Sequence, residues 1–207
     1  MASLPEIPEK NIIEDAFRPY VLAIGNVAHS WNRLQEELAK LFCAVTGLDN
    51  SMGLGIWHAL KSDRSQRDLL EAAIKVGATW QTWSTTYPTA CADLLWIIER
   101  ANKVADQRND AIHAPCTMLV EFEKKELVVI PDSFYGNPRA RKLVGKDLLE
   151  EFSWYEKSAD TLRTYAQAVQ FPVNYPAKER AWPNKPLMPT LGQKVPDREQ
   201  RPRSDGK

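Results

Sequence analysis

Apolar side chains recur along this chain in steps of three and four, the spacing that aligns one face of an α-helix. Between about Pro19 and Val45 the positions are Ile24, Val27, Trp31, Leu34, Leu38, Leu41 and Val45, all on one seam, with Gly47 as a C-terminal stop. A shorter helix is expected over about Met52 to Leu60. Ser62 or Asp63 then caps a helix that carries Leu69, Leu70, Ala73 and Ile74 and ends at Gly77. Pro88 reads as the first-turn proline of a long helix reaching Ala114, whose seam is Leu94, Ile98, Ala101, Ala105, Arg108 and Ile112. Pro115 ends it, because the residue before a proline is pushed out of the α region. Asp147, with Glu150 three residues on, opens a last helix with the seam Leu148, Phe152, Tyr155, Ala159, Leu162, Ala166 and Val169.

Two runs break this period. TMLVEFE and ELVVIP flank Lys124-Lys125 as β-prone segments and predict a hairpin at about 117–131, and 132–145 reads as loop. Trp80, Trp83 and Tyr87 sit in a loop at spacings of three and four, which favours packing or a lid over base stacking. From Phe171 onward the apolar period vanishes, and that segment holds half of the fourteen prolines. The expected architecture is therefore an all-α helical bundle of four to five helices, over about 19–170, with a hairpin insert. An N-terminal extension (1–18) precedes it. An extended Pro-rich tail (171–207) follows, either flexible or wrapped on a partner subunit through Tyr175, Trp182 and Leu187.

Charge and composition narrow the chemistry. Twenty-seven Lys/Arg balance twenty-seven Asp/Glu, so no global field favours nucleic acid or membrane, and any such contact is local. The tail carries eight Lys/Arg against four Asp/Glu, a surplus of four, which leaves the body at −4. MASLPEIPEKNIIEDAF is too acidic for a signal peptide, and no run approaches the roughly 20 apolar residues of a membrane span. Three separated cysteines (Cys43, Cys91, Cys116) read as reduced thiols of a cytoplasmic protein. The three histidines (His29, His58, His113) form no HxxxH or His/Cys cluster, so neither a metal nor another cofactor is expected. Dinucleotide, P-loop and nucleophile-elbow motifs are missing.

One seam position is anomalous. Arg108 occupies a place where an apolar residue belongs, within RNDAIH, residues 108–113. This R-N-x-x-x-H pattern near the end of a bundle helix resembles the HEPN superfamily (higher eukaryotes and prokaryotes nucleotide-binding). Members are α-helical and carry an Arg, four to six residues, then a His, often with a polar residue after the Arg. The resemblance covers about 19–170, with the hairpin as a lineage-specific insert. It implies a metal-independent endoribonuclease that acts as a homodimer, with two motifs meeting in one composite site. Arg108, Asn109 and His113 would be the catalytic set. Family members serve in toxin–antitoxin pairs and phage defence, which implies an antitoxin or regulatory partner. Other members have lost cleavage and only bind RNA, nucleotide or protein.

The residues suit such chemistry. Attack by a ribose 2′-hydroxyl on its own phosphodiester needs proton exchange near neutral pH and a cation for the phosphorane, leaving a 2′,3′-cyclic phosphate. Imidazole can do the first and a guanidinium the second. Asn109 and His113, at i and i+4, share a helix face, and Asp110 at i−3 is placed to support or orient the His113 ring. The helix C-terminus also favours imidazolium there. Against this stand blander readings. Arg108 would pair with Glu36 or Glu37 to hold helix register, His113 would cap a carbonyl, and Asn109 and Asp110 would be wet-face residues. Arg64 and Arg67 are candidate RNA-binding residues, though such a pair is more often a solvated face. His29 and Asn32 flank Trp31 and are placed to line a dimer cleft. A plain dimerisation scaffold is the third alternative.

Overall fold

The structure is a computed structural model that describes residues 10–121, 126–132 and 136–191. Among these, seven helices and one two-stranded hairpin follow in order. They are α1 (Lys10–Thr46), α2 (Asn50–Ala59), α3 (Asp63–Gly77), α4 (Thr82–Thr86), α5 (Ala90–His113), β1 (Cys116–Glu121), β2 (Glu126–Pro131), α6 (Pro138–Arg141) and α7 (Leu148–Asn174). The chain is thus mainly helical with one small antiparallel hairpin. No helix among the described residues is long and apolar enough to cross a membrane.

The expected seams form the core. From α1, Val27, Trp31, Leu34, Leu38, Leu41 and Val45 are buried, with Ile24 packed at the edge. All seven seam residues of α7 are buried, and α1 packs along α7 more extensively than any other pair of elements. The α5 seam is buried from Leu94 to Ala105, and only partly at Arg108 and Ile112. The local stops also act as expected. Gly47 adopts a left-handed φ of 70° and donates its N–H to the Cys43 carbonyl. Asp147 caps α7 through Leu149 and Glu150, and Ser62 rather than Asp63 caps α3. A Cβ at Gly53 would meet the Cys43 sulfur at 2.5 Å, so only glycine lets α2 approach α1 this closely. The hairpin register pairs Cys116 with Pro131 and Met118 with Val129, while its turn lies outside the described residues.

Several boundaries differ from the periodicity. The first helix begins at Lys10, so residues 10–18 are helical and Pro19 lies inside α1. Proline has no N–H for the carbonyl four residues back, but Pro19 is exposed, where water can serve that carbonyl. The loop before α7 holds a helical turn, α6, capped by the Asn137 side chain with Pro138 in first place. The Trp80–Tyr87 loop contains α4; Trp83 and Tyr87 are core residues, whereas Trp80 is exposed.

The C-terminal segment departs most from expectation. Helix α7 continues through Pro172 to Asn174, and residues 175–191 then lie as an extended strap on this chain's own bundle. The Trp182 indole donates to Asp93 Oδ2 at 3.0 Å and packs on Tyr87, and Lys185 meets Asp93 Oδ1 at 2.6 Å. The Trp154 indole donates to the Pro189 carbonyl. Of the three anchors proposed for a partner, Trp182 is used internally, while Tyr175 and Leu187 are exposed. Residues 192–207 lie outside the described set, as does the N-terminal extension before Lys10.

Candidate functional site

The last two turns of α5 carry Arg108, Asn109, Asp110 and His113, and Ala114 turns to extended backbone (φ −72°, ψ 130°) ahead of Pro115. Arg108 does not point into solvent. Its guanidinium lies over the Trp31 ring of α1, 4.5 Å from the centroid, and Nη2 donates to Asn109 Oδ1 at 2.7 Å. Burial pulls its pKa down and Asp63 opposes this, yet a guanidinium stays charged at any physiological pH. Among the described residues no carboxylate forms an ion pair with Arg108, and its buried Nε has no hydrogen-bond partner. The alternative pairing to Glu36 or Glu37 is therefore not made. Glu37 is held by Lys40 at 2.7 Å and by Gln170 of α7 at 2.8 Å.

A second arginine shares the same indole. Arg67 of α3 is 3% exposed, with its guanidinium 5.5 Å from the Trp31 centroid and its Nε donating to Asn102 Oδ1 at 2.7 Å. Its Nη1 is buried without a partner. Burial lowers its pKa first, Asp63 raises it, the neighbouring Arg108 charge lowers it again, and Asp68 and Asp106 raise it. The solvated-face reading of Arg67 is thus corrected, whereas Arg64 one turn away is exposed. The signal was present: Arg67, Leu70, Ile74 and Gly77 are the buried residues of α3 and step by three, four and three. Asp63, released from capping, accepts the Trp31 Nε1–H at 2.8 Å and supplies the one carboxylate that acts on both arginines. Two cations share one ring, Arg67 buried and Arg108 half-buried; each keeps a buried N–H without a partner, Nη1 and Nε, while Asp63, Asp68 and Asp106 supply the surrounding negative charge.

The rest of the motif is only partly drawn together. Asn109 is half-buried and spends its carbonyl on Arg108. Asp110 is taken by Lys142 and lies 3.9 Å from Arg139, so it clamps α5 to the α6 segment rather than orienting the imidazole. His113 is exposed, and no described side chain hydrogen-bonds to it. His29 is also exposed, whereas Asn32 lines a cavity beside Asp63. No cluster of three His, Cys, Asp or Glu among the described residues is placed to hold a metal ion. Comparison with protein-family models, with curated proteins and with solved structures finds no match.

Proposed function

We propose that this protein is a metal-independent endoribonuclease of the HEPN type, acting as a homodimer. The observation that carries the reading is Arg108, a seam arginine with no ion-paired carboxylate, stacked beside a second buried arginine and five residues before an exposed histidine. Arg67 Nη1 and Arg108 Nε keep N–H donors without a partner, and a phosphodiester would complete them. Arg108 then stabilises charge on the phosphorane, and Asn109 holds the guanidinium in plane through its Nη2. His113 exchanges protons with the 2′-hydroxyl and the leaving 5′-oxygen. His113 lies at the helix end and open to solvent, which suits a site completed by the same residues of a second chain. Any role in a toxin–antitoxin pair or in phage defence rests on the resemblance alone.

The test is the chemistry of the ends. Single-stranded RNA incubated with the protein in EDTA should yield 2′,3′-cyclic phosphate and 5′-hydroxyl termini. Cleavage that requires Mg²⁺, or that leaves 5′-phosphates, would overturn the proposal. A second reading is favoured by the inward orientation of Arg108 and the occupied Asn109 carbonyl: a module that binds RNA phosphate without cutting it. Tight, Arg108-dependent RNA binding with intact RNA recovered would select that reading.

A further inference from the structure

Prolines recur at every third position of the strap, Pro183, Pro186 and Pro189, which is the period of a polyproline II helix. Burial follows the same period: these three are half-buried on the bundle, while Asn184, Leu187 and Thr190 are exposed. A polyproline II segment makes no internal hydrogen bonds, so its carbonyls are open to donors from a groove. The bundle supplies such donors. The Trp154 indole donates to the Pro189 carbonyl at 2.8 Å, and the Tyr165 hydroxyl to the Pro183 carbonyl at 3.4 Å. Between these two, the Lys185 ammonium meets Asp93 Oδ1 at 2.6 Å and lies 5.4 Å from the Trp96 ring centre. Trp96 and Tyr165 stand edge to face, 5.8 Å apart, as the aromatic wall. Aromatic walls, donors for proline carbonyls and one carboxylate for a basic residue together make a groove that reads a proline-rich chain.

We infer that this groove is a docking site for a proline-rich segment of a partner protein, of the form W-P-x-K-P-x-x-P, with the strap as its resident occupant. The strap displays the chemistry that the groove accepts. A second copy of this chain offers only the same sequence, and it competes against a tethered strap whose effective concentration is in the millimolar range. Exchange between copies therefore gains nothing. A partner gains where the strap leaves contacts unmade. Between strap and α7 lies a cleft of about 740 Å³ walled by Lys157, Asp160, Thr161 and Thr164, and Leu187 at its rim is 95% exposed. A segment whose side chain at that place turns inward buries apolar surface that the strap leaves in water. Asp93 and Trp96 sit at the opposite end of α5 from Arg108, so the inference does not rest on the RNA reading.

The test is binding of a fluorescently labelled peptide of residues 181–190 to the full chain, by anisotropy. Lys185→Glu sets a carboxylate against Asp93 and loosens the strap from a surface position, leaving the bundle core untouched. That variant should bind the peptide saturably at about 100 µM or tighter, and wild type at least about tenfold more weakly, because its own strap competes. A peptide with all three prolines replaced by alanine should lose at least about tenfold in affinity. Trp154→Phe in the Lys185→Glu background removes one donor while keeping an aromatic ring, and should weaken binding about fivefold. The mass by light scattering should be the same for wild type and Lys185→Glu. No saturable binding to Lys185→Glu, equal affinity for wild type, equal affinity of the proline-free peptide, or binding indifferent to Trp154→Phe would overturn the inference. A mass that halves in Lys185→Glu would assign the groove to strap exchange between copies and would overturn the partner as its occupant.

Discussion

Arg67 and Arg108 place two guanidiniums on one buried indole; Asp63 acts on both, and Asp68 and Asp106 act on Arg67 as well. Stacking a cation on a desolvated Trp returns about 2 kcal/mol, which is less than the usual cost of burying an unpaired charge. On the proposed function the pair is kept for a ligand, at some expense of stability. Arg67→Met removes one charge while keeping the side-chain bulk over Trp31, and it should be neutral or stabilising by about 1 kcal/mol in urea unfolding. A loss of more than about 3 kcal/mol would show that the fold needs this charge. Trp31, Asp63, Arg67 and Asn102 come from three helices, and nothing in the local pattern of 105–115 names them as neighbours of Arg108. The anomaly at Arg108 was legible because it broke a period. Its company was not, because that is set by how α1, α3 and α5 cross. Arg67 is the exception, since it interrupts an apolar stripe in the same way.

The helices are held by a few long-range contacts that can be tested one at a time. Trp182 joins the strap to Asp93 and Tyr87, and Trp182→Ala should lower stability by about 3 kcal/mol and expose 175–191 to limited proteolysis. An unchanged cleavage pattern would show that the strap is not fastened there. Glu37 ties α1 to Gln170 of α7. Burial alone would raise its pKa, but hydrogen bonds from Lys40 and Gln170 and the Lys40 and Arg163 charges outweigh it, so the net shift is downward from 4.5. A lowered carboxylate pKa stabilises the fold above its unfolded-state value and ceases to do so as the pH falls through the folded one. Wild type should therefore lose its stability advantage over Glu37→Gln as the pH is lowered below 4.5, by chemical unfolding at each pH. Three long seams were legible because three-and-four spacing admits one face. The strap was not, because extended proline-rich chain has no period, and its contacts reach from Trp182 back to Asp93 across 89 residues.

For the whole molecule, balanced charge means that the proposed affinity for RNA would come from the arginine site and not from a general field. The proposed composite site also requires two chains. Light scattering should give about 47 kDa, twice the 23.5 kDa of one chain, at the concentrations where activity is measured. A monomer that cleaves RNA would remove the two-chain site while leaving the chemistry of Arg108 in place. The measurement that bears most directly on the account is the rate at which wild type, Arg108→Ala and His113→Ala cleave a single-stranded RNA in EDTA, with the three proteins matched for mass and unfolding midpoint. Each variant should be slower by at least about 100-fold, the contribution of a positioned proton-transfer group or charge clamp. Equal rates for all three, or no cleavage by wild type of either single-stranded or structured RNA, would contradict it.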